Sequence, residues 1–137
     1  MTRLANDTKG AAAIEFALVA PVFLIFLLLL LEGGRAMFTQ QAVNELTAAA
    51  ARCAAIKATG CADQTAVRNW TVARGRQRSQ LALAAANVVV TMTGSCRGQP
   101  SAIVTVNAPY KRGATALLPH SVIPPALTAT ACFPRTA

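Results

Sequence analysis

Acidic side chains are scarce in this chain. Five stand among 137 residues, against thirteen lysines and arginines, for a formal charge of +8. Histidine, tryptophan and tyrosine occur once each. Paired-carboxylate acid–base catalysis and histidine–carboxylate metal sites need clusters that so few residues can hardly supply. The single histidine, His120, lies in a proline-rich stretch, "KRGATALLPHSVIPP". No two of the four cysteines form a C-x-x-C pair, so a zinc site is not expected. The sequence therefore predicts no enzyme, no bound metal and no cofactor. It has no internal repeat and no low-complexity tail.

Apolar residues, by contrast, make up 54% of the chain. Phe16 to Leu31, "FALVAPVFLIFLLLLL", carries no charge. Ala11 to Leu31 as a helix would be about 31 Å long, matching a hydrocarbon core of ~30 Å. A domain this small has too little interior to surround such a helix on every side. A secretory signal fits the basic start, Arg3 and Lys9, but "EGGRAMF" offers no clear small-x-small cleavage site after the run. An uncleaved single-pass anchor is expected, with its N-terminus in the cytoplasm. Glu15 breaks the pattern, because a carboxylate at the centre of a spanning helix costs ~2.5–3.5 kcal/mol on insertion scales.

All four cysteines, Cys53, Cys61, Cys96 and Cys132, follow the apolar run. An oxidising compartment would pair them, and three connectivities are open. The local pair Cys53–Cys61 and the pair Cys96–Cys132, near the ends of candidate strands, are the favoured reading. The alternative is four buried free thiols.

Pro21 removes one backbone donor from the apolar helix and predicts a bend. Gly33–Gly34 is a second soft point. Helical pattern resumes from Arg35 to about Ala58, with Phe38, Ala42, Leu46, Ala49, Cys53 and Ile56 as an expected apolar stripe. Gln40, Gln41, Asn44, Glu45, Thr47, Arg52 and Lys57 fall largely outside it. Gly60 is the expected terminator. A second, shorter helix is expected within residues 62–80, weakened by Gly75. Strands are expected at "VVVTMT", "SAIVTVNAPY" and "ALTATACF", with "CRGQP" as a turn and one helical turn at Ala114–Leu118. The fold class is α+β: a long N-terminal helix, a short helix and a small antiparallel sheet of about three strands. Four segments follow: a leader at 1–10, a transmembrane helix at 11–31, an amphipathic extension at 32–58, and a small α+β domain at 59–137.

Gly10 stands five residues before Glu15, immediately ahead of the apolar run and after the basic Lys9. This arrangement resembles a type IV prepilin signal. The resemblance implies a cut by a membrane peptidase between Gly10 and Ala11. Glu15 would then be able to neutralise the new amine of a neighbouring subunit, since a paired charge in low dielectric costs much less than an isolated one. Over residues 9–55 the chain further resembles the TadE-like family of pseudopilins of the tight-adherence (Flp) pilus assembly system. The shared pattern falls on Glu15, Phe16, Ala17, Leu18, Val19, Pro21, Glu32, Gly34 and Arg35, then on Phe38, Gln40, Gln41 and Arg52. Gly33 departs from it, where the family often has an apolar or aromatic residue.

The resemblance implies a minor pseudopilin supporting pilus biogenesis, adherence and biofilm formation. It implies a bacterial inner-membrane location with the C-terminal domain in the periplasm, or within the pilus. Its partners would be a prepilin peptidase and other pseudopilins, pilins or Tad assembly proteins. One different reading stands beside it. Arg68, Arg74, Arg76 and Arg78 cluster around Trp70, and such a patch on a bitopic periplasmic module could capture a polyanion. No nucleic-acid-binding motif accompanies the patch, so nucleic acid is not an expected partner.

Overall fold

The computed structural model describes residues 9–79, 81–111, 113 and 124–135. The helical turn expected at Ala114–Leu118, and His120, lie outside the described residues.

Helix α1 runs Lys9–Ala55, 47 residues, without interruption at Pro21 or at Gly33–Gly34. At 1.5 Å per residue that is about 70 Å, roughly twice a bilayer core. Its first half is exposed apart from the half-buried Ala20: Phe16, Leu18, Leu24, Phe26 and Leu31 lie between 56% and 73% open. It is long and apolar enough to cross a membrane, with a mean hydropathy of 2.8 over its most apolar window, none of it buried by the rest of the chain. Its second half is the backbone of a folded unit.

The helix stops through Lys57, not Gly60. Lys57 takes a left-handed conformation (φ 47°). Its amide donates to the Ala54 carbonyl, and that of Ala58 to the Cys53 carbonyl. This is the paired closure of a Schellman turn, which satisfies carbonyls the helix end would otherwise leave open. Gly60 (φ 86°) belongs to the following turn, which carries the chain to Cys61. Helix α2, Gln64–Ser79, is started by Asp63, whose Oδ1 accepts the Ala66 amide at 2.8 Å.

Strands β1 (Val88–Cys96), β2 (Gln99–Pro109) and β3 (Ala126–Pro134) form an antiparallel sheet in that spatial order. Arg97 and Gly98 join β1 to β2, both at positive φ, the two-residue turn whose twist suits a hairpin. Alternation holds as expected in β2. Val104, Val106 and Ala108 are buried, whereas Ile103 and Thr105 are half-buried and Asn107 is exposed. Both helices cover the buried face, α1 over β2 and β3, α2 over β1. The result is the α+β arrangement the pattern predicts.

The packed face of α1 differs from the expected stripe. Val43, Thr47, Ala50 and Ala54 are fully buried. Phe38 is 80% exposed and Ile56 51%, and Ala49 is open, although Leu46 and Cys53 of that stripe are buried. Small side chains let the helix lie close to the sheet, and the inward hydroxyl of Thr47 is satisfied by the Val43 carbonyl at 2.6 Å. Hydrophobic spacing marked an apolar stripe correctly but could not say that the sheet would choose a neighbouring one.

Gly75 is likewise not a flaw in α2. It is buried, and a Cβ there would lie 3.0 Å from Leu83 and 3.1 Å from Leu46. There α2, α1 and the segment after α2 meet.

Candidate functional site

Two groups of residues on α1 merit attention, one at its start and one halfway along. At the start, Gly10, Ala11 and Glu15 lie on the first turns of the helix, all exposed. A Cβ on Gly10 would meet nothing within 4 Å. Glu15 has no hydrogen-bond or ion-pair partner among the described residues. Phe16 and Pro21 continue the same open helix.

Halfway along, the expected Glu32 and Arg35 come together with residues 75 and more positions later, whereas a Cβ on Gly34 would meet nothing within 4 Å. Glu32 is buried. Its Oε1 accepts the Tyr110 hydroxyl at 3.0 Å and the Gly113 amide at 3.1 Å. The Gly113 amide, then Tyr110 and the Arg35 guanidinium, hold the carboxyl below its ordinary range against the opposing effect of burial. Tyr110 is pushed the other way, by burial and by Glu32. Arg35 donates from Nη2 to the Lys111 carbonyl at 3.1 Å and stands over the Tyr110 ring, 5.7 Å from its centre. A Cβ on Gly113 would fall 2.9 Å from Glu32 Oε2, so the glycine is what lets the backbone reach the carboxylate. One turn further on, Gln40 donates to the Thr128 carbonyl of β3 at 3.1 Å. These contacts clamp the chain beyond β2, and the start of β3, to α1 at the point where its exposed apolar half ends.

Tyr110 and Gly113 as partners of Glu32, and Lys111 as a partner of Arg35, were invisible to sequence reasoning. The available signal was weak: the only tyrosine in the chain ends a strand, and a glycine follows three residues later.

Both expected disulfides form. Cys53–Cys61 ties the end of α1 to the turn after it, and Cys96–Cys132 joins the outer strands β1 and β3. The expected basic patch falls on α2. Arg74 stands over the Trp70 ring at 5.6 Å, both half-buried, while Arg68 is half-buried with its Nε unpartnered and Arg76 is exposed. The Arg78 side chain lies outside the described residues. No group of three metal-ligating side chains occurs among the described residues.

An exposed apolar helix continuing into a two-layer α+β unit, clamped where the two meet, fits a protein held on a membrane by a single N-terminal anchor. The family comparison is more particular. Residues 10–52 carry a TadE-like domain, matching the family model described as TadE-like protein. That family associates the chain with Tad pilus assembly. No curated protein and no solved structure matches.

Proposed function

We propose that the protein is a minor pseudopilin of a Tad/Flp pilus assembly system. It is made with a leader of residues 1–10, cut after Gly10 by a prepilin peptidase, and held in the bacterial inner membrane by residues 11–31. Residues 32–58 extend the anchor and residues 59–137 form the domain, both on the periplasmic side, where the two disulfides would be stable. The observation that carries this reading is Glu15, without a partner among the described residues, five residues past Gly10 on an open helix inside the TadE-like segment. An isolated carboxylate there is unfavourable in lipid. Pairing with the Ala11 amine of another subunit removes that cost, so the glutamate favours assembly. Its function would be exercised through other pseudopilins, pilins or Tad assembly proteins, in support of adherence and biofilm formation.

The test is complementation of a deletion strain. Intact mass of the membrane-extracted protein should show loss of residues 1–10, and Gly10→Ala should slow or block that loss. Glu15→Gln should be inserted and cut, yet fail to restore pili. A full-length mass in cells with an active prepilin peptidase would refute the processing. Normal piliation by a processed Glu15→Gln protein would refute the pairing.

The alternative polyanion-capturing module needs Arg68, Arg74, Arg76 and Arg78 on one face beside Trp70. Among the described side chains, Arg68, Arg74 and Arg76 are spread around α2, which lends it less support.

A further inference from the structure

The stretch of α1 beyond the membrane has a second face. Phe38, Ala42, Glu45, Ala49, Arg52 and Ile56 all line one open groove of about 1330 Å³. Their spacings are 4, 3, 4, 3 and 4. This is the heptad spacing of the seam that two supercoiled helices present to each other, here with charges at two of the six positions. At 100° per residue the seam lies on the opposite side of α1 from the buried Val43, Thr47, Ala50 and Ala54. Its residues are exposed apart from the half-buried Ala42, and Trp70, Arg74, Tyr110 and Phe133 of the domain also line the groove. Carried down the helix, the same repeat passes through Leu31, Leu28, Leu24, Pro21, Ala17 and Ile14, all apolar, with Arg35 at the junction.

Two seam positions are charged, and they are seven residues apart. Glu45 and Arg52 are both exposed, and neither has an ion-pair partner among the described residues. They stand about 10.5 Å apart along the helix, too far to pair within one chain. A parallel second copy in register would place Glu45 against Glu45 and Arg52 against Arg52. A copy displaced by one heptad places Glu45 of one chain against Arg52 of the next, with Ala42 and Ala49 allowing close approach between them.

We infer that this seam binds a second copy of the chain, parallel and displaced by seven residues, with Glu45 and Arg52 setting the stagger. The inference rests on the proposed assembly role and adds its partner and register. Such a contact is heterologous. The two copies contribute different parts of the seam, residues 38–49 of one against residues 45–56 of the other. An exposed ion pair contributes little affinity, and like charges in opposition penalise the wrong register, so the pair acts on specificity.

The experiment uses the full-length chain in its native membrane. A photo-crosslinking benzoylphenylalanine replaces Ala49, and crosslinked peptides are identified by mass spectrometry. The expected product joins position 49 to the region of residue 42 or 56 of a second copy. Glu45→Arg or Arg52→Glu alone should lower the yield by roughly fivefold or more, and the double swap should restore it to within about twofold, as about 1 kcal/mol of repulsion would. Both sites are exposed, and non-reducing mobility checks that each variant keeps its two disulfides. Crosslinks from 49 to 49, to a different protein alone, or a swap no better than its single variants would each overturn the inference. Absence of the homotypic product in a chain that is cut after Gly10 and supports pili would do so too, leaving the pseudopilin reading intact. A swap-rescued product in a strain whose pili do not depend on the protein would uphold the seam and overturn that reading.

Discussion

Glu32 shows how one carboxylate can be costly in one setting and stabilising in another. Among the described residues Glu15 has no partner, whereas Glu32, seventeen residues on, is buried with two donors on one oxygen and a guanidinium nearby. Removing the carboxylate leaves the Tyr110 hydroxyl and the Gly113 amide without an acceptor. Glu32→Ala should therefore cost about 2–3 kcal/mol. The effect should also depend on pH. The folded-state pKa lies below the ordinary 4.5. The stabilisation is thus complete above that value and is lost as pH falls below it, when the proton binds the unfolded chain first. Denaturant unfolding in detergent, followed by the fluorescence of Trp70, should show the parent losing more stability between pH 6 and pH 3 than Glu32→Gln does. Equal losses would mean that Glu32 is not the titrating group.

At the scale of the element, α1 does two jobs with different faces. Its buried side is built from Val43, Thr47, Ala50 and Ala54, which admit close contact with the sheet. Its open side keeps larger side chains, Phe38 and Ile56 among them. The helix then ends on a lysine in a conformation that glycine adopts without the clash of a Cβ. Lys57→Gly should stabilise the folded unit by about 0.5–1 kcal/mol, less the greater freedom glycine gives the unfolded chain. Lys57→Ala should give no gain, because the φ of 47° is equally unfavourable for alanine. The unfolding midpoint of the two variants distinguishes release of backbone strain from loss of charge.

The whole molecule is a thin layer of two helices on three strands, with a core largely of alanine and valine. Such a core has little apolar area to bury per residue, and covalent links compensate. The Cys96–Cys132 bridge spans 36 residues and Cys53–Cys61 only 8. On the chain-entropy account the longer bridge contributes ~3–4 kcal/mol and the shorter ~2.5. Replacing Cys96 and Cys132 together with alanine should lower the thermal midpoint by at least about 10 °C. The unaltered protein should show a larger loss when fully reduced, because both bridges then open. A midpoint unchanged by either treatment would place the stability elsewhere.

Much of this protein follows from local order in its chain. The long exposed helix is a consequence of an uncharged leucine-rich run. The strands follow from alternation, as in Val104, Val106 and Ala108 against Ile103, Thr105 and Asn107. The TadE-like segment is a contiguous stretch, so its motif is legible without any fold. The rest depends on contacts between distant residues. Which stripe of α1 meets the sheet was decided by how closely small side chains let the two approach, and spacing alone does not encode that distance. Gly75 is needed where three segments converge, a crowding that no single segment reveals. Glu32 acquires its donors from Tyr110 and Gly113, 78 and 81 residues away. Folding brings them together because β2 returns the chain along α1 to the point where the helix leaves its apolar half.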